Sequence, residues 1–134
     1  MKRTFFILAS LLVIVGHAQS QVKLDKAVKA ASSAGFDVKS ITNSVMQTLV
    51  PSLNLTSTQK PGITDIVSGF LTKKADILPL KASNPTSYKS KFGSLFGSLK
   101  SQLGGALTSG QLTKFLSLKP KTDSPSNVLS NLFY

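Results

Sequence analysis

The sequence predicts an all-α protein, a small bundle of about five amphipathic helices that follows an N-terminal signal helix. Three observations predict it. Apolar residues recur at three- and four-residue spacing through most of the chain, helix-starting and helix-stopping residues bracket those stretches, and no segment alternates apolar and polar residues with a β-branched bias. A length of 134 residues, 41% of them hydrophobic, suits one domain with a packed core.

The first element is Met1-Lys2-Arg3, the apolar run Phe5 to Val15, and the small residues of Gly16-His17-Ala18-Gln19-Ser20. A charged start, a short apolar stretch and small residues before a cut describe a secretory signal. A membrane anchor needs about 20 apolar residues, and this run is well short of that. Cleavage is expected after Ser20, with a cut after Ala18 as the neighbouring alternative. The organisation is then a signal at 1–20, a helical domain at 21–118, and a polar linker with a short apolar C-terminal turn at 119–134. The mature chain is expected in the periplasm or outside the cell, without a transmembrane helix. With no cysteine it has neither a lipid-modified Cys nor disulfides.

Residues 22–34 interleave Val22, Ala27, Val28, Ala30, Ala31 and Ala34 with Lys23, Lys26 and Lys29, a weakly amphipathic helix that Gly35 ends. Asp37 is an N-cap for a second helix, with Phe36 able to staple onto Ile41. Val38, Ile41, Val45, Met46, Leu49 and Val50 keep one face apolar, and Pro51 is expected to stop the helix. Thr56-Ser57-Thr58-Gln59 is a capping box for a third helix. Ile63, Ile66, Val67, Phe70, Leu71, Ala75 and Leu78 give it the cleanest helical period in the chain, and Pro79 ends it. A loop is expected from Leu80 to Ser83, and Asn84-Pro85 then caps a fourth helix over about 85–103. That helix carries Tyr88, Phe92, Leu95, Phe96, Leu99 and Leu103 and is expected to stop at Gly104-Gly105. The quartet Phe-Gly-Ser-Leu occurs twice in it, which sets Gly93 and Gly97 in a G-x-x-x-G that would let a neighbour approach closely. Thr108-Ser109-Gly110-Gln111 is a second capping box, for a fifth helix carrying Leu112, Phe115, Leu116 and Leu118. Val128, Leu129, Leu132 and Phe133 form the last apolar turn, expected to dock on the core.

Composition limits the chemistry. Beyond the signal the chain holds 14 Lys and 5 Asp but no Arg, His, Cys or Glu. A Cys nucleophile and a Ser-His-Asp triad are therefore excluded, as are zinc and copper sites built on His or Cys. Asp65 and Asp76 share a helix face but stand about 16 Å apart at 1.5 Å per residue, too far for a joint carboxylate site. No catalytic residue, metal ligand or cofactor is expected, and the protein is read as a non-enzyme.

One signature repeats. Leu55-Thr56-Ser57-Thr58-Gln59, preceded by Asn54, recurs as Leu107-Thr108-Ser109-Gly110-Gln111, and each pentad heads an amphipathic helix. A small, exported, helical chain with two Leu-Thr-x-x-Gln pentads resembles the Spy/CpxP group of periplasmic LTxxQ proteins. The resemblance covers residues 53–118. It implies a curved helical dimer and, as in some members, the holding of unfolded clients without ATP. Leu55, Thr56, Gln59, Leu107, Thr108 and Gln111 carry over as helix caps and packing residues. The chain departs from the group in lacking Glu, in keeping only Met46 beyond the signal, and in its Phe-Gly-Ser-Leu tandem.

These readings lead to a non-catalytic exported envelope protein, chaperone-like or protein-binding, whose partners are acidic or unfolded proteins. Its expected binding surface is Lys89, Lys91, Phe92, Phe96, Leu99 and Lys100. The alternative is a basic amphipathic protein that binds an anionic membrane surface through the same segment. Nucleic acid is disfavoured as a partner, because no Arg is left to read guanine and the lysines form no dense tract.

Overall fold

Asp37 starts the first helix of the computed structural model, which describes residues 36–134; the signal, its cut and the helix expected at 22–34 lie outside the described residues. The Asp37 carboxylate accepts from the backbone N–H groups of Lys39 and Ser40 at 3.0 and 3.3 Å. Six helices follow: α1 (Val38–Leu53), α2 (Gln59–Ile77), α3 (Leu80–Ser83), α4 (Pro85–Ala106), α5 (Ser109–Ser117) and α6 (Ser130–Phe133). No strand occurs among the described residues, so the fold there is all-α. The four longer helices are the four that sequence periodicity places in this region.

Three boundaries differ from expectation. Pro51 does not stop α1, which continues to Leu53. A proline in the last turn gives up only its own N–H bond, and the end is set by Asn54 instead. Asn54 adopts the left-handed conformation, with φ 50°. Its N–H reaches the Pro51 carbonyl at 3.4 Å, and the Leu55 N–H reaches that of Val50 at 3.0 Å. That pairing is a Schellman motif with Asn in the place glycine usually takes. Leu80 to Ser83 is a turn of helix rather than a loop, entered directly from Pro79. Gly104 and Gly105 do not end α4, because buried Leu103 and Leu107 hold its last turn, with the Leu107 N–H on the Leu103 carbonyl at 2.8 Å. The G-x-x-x-G expectation is also corrected. Gly93 and Gly97 are exposed, and a Cβ built on either would meet nothing within 4 Å.

The core follows the helical period. Val45, Leu49 and Leu53 of α1, Ile63, Val67 and Leu71 of α2, Leu99 and Leu103 of α4, and Phe115 of α5 are buried together. The α2 helix lies between α1 and α4, and α1 also packs on α5. Leu129, Leu132 and Phe133 join the same core, so the apolar C-terminal turn docks as expected.

The two pentads meet. Each makes the reciprocal Thr–Gln bonds of a capping box, at Thr108 as the N-cap of α5 and at Thr56 in the turn that leads into α2, whose own N-cap position Thr58 makes no side-chain bond. Gln59 N–H and Gln111 N–H donate to the Thr56 and Thr108 hydroxyls at 3.2 Å, while the Thr56 and Thr108 N–H groups donate to the glutamine Oε1 atoms at 3.1 and 3.0 Å. The glutamines then bond to each other. Gln59 Nε2 donates to Gln111 Oε1 at 2.9 Å, and Gln111 Nε2 donates to Gln59 Oε1 at 3.2 Å. The remaining amide hydrogens cross over: Gln59 reaches the Ala106 carbonyl at 3.2 Å, and Gln111 reaches that of Leu53 at 3.1 Å. Each carboxamide has two donors and two acceptor sites, and here all are used. The network also fixes their orientation, since turning either amide over would set NH₂ against an N–H donor. Gln59 and Gln111 thus tie the α1–α2 turn to the α4–α5 turn, and each bonds the carbonyl that ends the other hairpin's first helix.

Candidate functional site

Tyr88, Phe92 and Phe96 recur every four residues along α4, so their rings stand on one face. Neighbouring ring centroids are 5.9 and 6.2 Å apart. Phe96 continues to Phe133 at 5.5 Å, and Phe133 stacks on Phe115 at 5.2 Å. Phe70 of α2 meets Phe92 edge-on at 6.0 Å. The docked C-terminal turn therefore extends an aromatic row that begins on α4.

Of the expected binding surface, Lys89, Lys91 and Lys100 are exposed, while Phe92 and Phe96 are half-buried. At 100° per residue, Lys89 and Lys100 flank one side of the aromatic stripe and Lys91 the other. Leu99 does not belong with them. It points the same way as the rings but is 1% exposed and belongs to the core with Leu103, because that stretch of the α4 face is fully covered whereas Phe92 and Phe96 are only partly so. The six cap residues lie apart from this face, in the glutamine junction, with Leu55 and Leu107 buried beneath it.

Beside the stripe is an open groove of about 410 Å³. Pro85, Tyr88, Phe92, Phe133 and Tyr134 line its floor, and Lys81, Lys89 and Asp123 line its edge. Lys81 Nζ meets an Asp123 carboxylate oxygen at 3.1 Å, and both side chains are about half exposed. Lys81 also stands 5.9 Å from the Tyr88 ring centroid. The Tyr134 hydroxyl donates to the Pro120 carbonyl at 2.6 Å, with Lys119 over its ring at 5.2 Å.

The residue that sequence reasoning missed is Lys74. It is 4% exposed. Its ammonium donates to the main-chain oxygens of Asn131, at 2.8 Å, and Tyr134, and lies 5.4 and 5.9 Å from the Phe92 and Phe36 ring centroids. Burial, and then repulsion from Lys81, lower its pKa from 10.5 to about 8, partly opposed by Asp123. Burial, and then the Asp123 charge, raise the Tyr88 hydroxyl above its ordinary 10.0. Position 74 follows Val67, Phe70 and Leu71 at the spacing of the buried face. A lysine in that slot was the available signal. Its amine ties the C-terminal turn to α2, beneath the aromatic row.

The arrangement presents apolar rings bordered by ammonium groups, a chemistry of contact. Among the described residues no helix is long and apolar enough to cross a membrane. Compared with family models, curated proteins and solved structures, the chain matches none of them.

Proposed function

We propose that the protein acts by binding rather than by turnover, as an exported envelope module that holds acidic, partly unfolded protein segments on the basic aromatic face of α4. One observation carries the reading. Half-buried Phe92 and Phe96 stand in a row with exposed Lys89, Lys91 and Lys100 on both sides, which offers an unfolded segment apolar contact and charge together. The absence of Cys, and of any His beyond the signal, favours contact over reaction. The paired pentads support kinship with the LTxxQ periplasmic proteins, and a dimer is part of that proposal. The membrane-surface alternative is less well supported. Phe96 and Phe92 lie against Phe133 and Phe70, so only part of each ring is open; that part can meet a single client segment, whereas lowering the whole rings into a bilayer would require the C-terminal turn to leave.

The test is suppression of aggregation of a denatured acidic protein at about 150 mM salt, where exposed charges are screened beyond about 8 Å. Suppression that falls when Lys89, Lys91 and Lys100 are replaced together by Gln is expected. No suppression at any stoichiometry would remove the reading.

A further inference from the structure

The groove between the start of α4 and the C-terminal turn is chemically asymmetric. Its floor is aromatic, from Tyr88, Phe92, Phe133 and Tyr134. Its edge has two ammonium groups and one carboxylate, and that carboxylate is already engaged by Lys81 at 3.1 Å. An incoming cation would find the one carboxylate taken, ammonium groups already over the Tyr88 and Tyr134 rings, and the charges of Lys81 and Lys89 against it. An incoming anion would find Lys89, which has no ion pair among the described residues, and the outer side of Lys81. The volume of about 410 Å³ lies within the range of roughly 300–1,000 Å³ usual for small-ligand pockets.

We infer that this groove binds a small anionic amphiphile, a molecule with a single carboxylate and an aliphatic or aromatic body of modest length. The body lies over the Tyr88 and Phe92 rings, where it replaces water against apolar surface. The carboxylate faces Lys89, with Lys81 behind it, at the open edge. Asp123 acts against binding, both by its own charge and by holding Lys81. This ligand is distinct from a protein client, and its binding is read on the protein alone, so failure to suppress aggregation leaves the inference standing.

The experiment is titration calorimetry of the full chain with decanoate and with decyltrimethylammonium, which share a chain and differ in head charge. Decanoate should bind at least about tenfold more tightly than the cation. Lys89→Gln should weaken decanoate about fivefold, and Lys89→Arg should retain it. Asp123→Asn should strengthen it about threefold, a gain that damage to the fold would not produce. Both positions are exposed, and an unchanged unfolding midpoint shows that each variant is intact. Equal affinity for the two amphiphiles, no decanoate binding at millimolar concentration, or no change in affinity in Lys89→Gln and Asp123→Asn would each overturn the inference.

Discussion

Replacing Gln59 and Gln111 by alanine, singly and together, separates two meanings of the repeated pentad. If the pentads are independent caps, each substitution costs about 1 kcal/mol, and the two costs add to within about 0.3–0.5 kcal/mol, as for distant sites. The structure requires otherwise. Each glutamine side chain joins in four hydrogen bonds, two of them shared with the other glutamine. At about 0.5–1.5 kcal/mol net for each bond, a single substitution should cost roughly 2–6 kcal/mol. It also leaves a part-buried carbonyl, Leu53 or Ala106, without its partner. The two shared bonds are lost in either single variant and cannot be lost again in the double. The double should therefore be more stable than the summed costs predict, by about 1–3 kcal/mol. Urea unfolding of the four proteins, followed by far-ultraviolet circular dichroism, measures this coupling. Additive costs would refute the junction, even if each single variant were destabilised.

Two further predictions concern the face and the residue beneath it. Because burial holds Lys74 near a pKa of about 8 against 10.5 when unfolded, the unfolded chain carries the extra proton between those values. Stability should therefore rise with pH there, by roughly 2 kcal/mol between about pH 7.5 and pH 9.5, with Lys74→Met flattening the rise. The raised Tyr88 hydroxyl acts only above 10.0. Unfolding free energies that are level or falling across that window would contradict the assignment. Leu99→Ala should cost about 2–5 kcal/mol in chemical unfolding, as for a buried leucine, whereas Lys91→Ala should stay within about 0.5 kcal/mol. Similar costs for the two would mean that α4 is turned the other way.

Much of the fold was legible because the signals were local. Asp37, Thr108 and Asn84-Pro85 cap the helices they were expected to cap. The Ile63–Val67–Leu71 spacing forms the buried stripe it predicted. Pro51 and Gly104-Gly105 misled because a breaker's weight depends on its place in the helix and on what anchors the next residue, here Asn54 in one case and Leu107 in the other. The binding face was half legible. Periodicity found Phe92 and Phe96, but it could not divide one apolar stripe into the inward Leu99 and the outer rings without knowing where α2 and the C-terminal turn lie. The glutamine pair and Lys74 were hidden for one reason. Their hydrogen-bond partners across the fold are 47 to 60 residues away, and no local spacing reports a contact at that distance.

Whether α4 presents the working surface is tested most directly by nuclear magnetic resonance of the isotope-labelled protein titrated with an unfolded acidic polypeptide. The shift changes should concentrate on Lys89, Lys91, Phe92, Phe96 and Lys100, and fade as salt is raised. Changes confined to α1 and α5, or none at saturating polypeptide, would contradict the proposal.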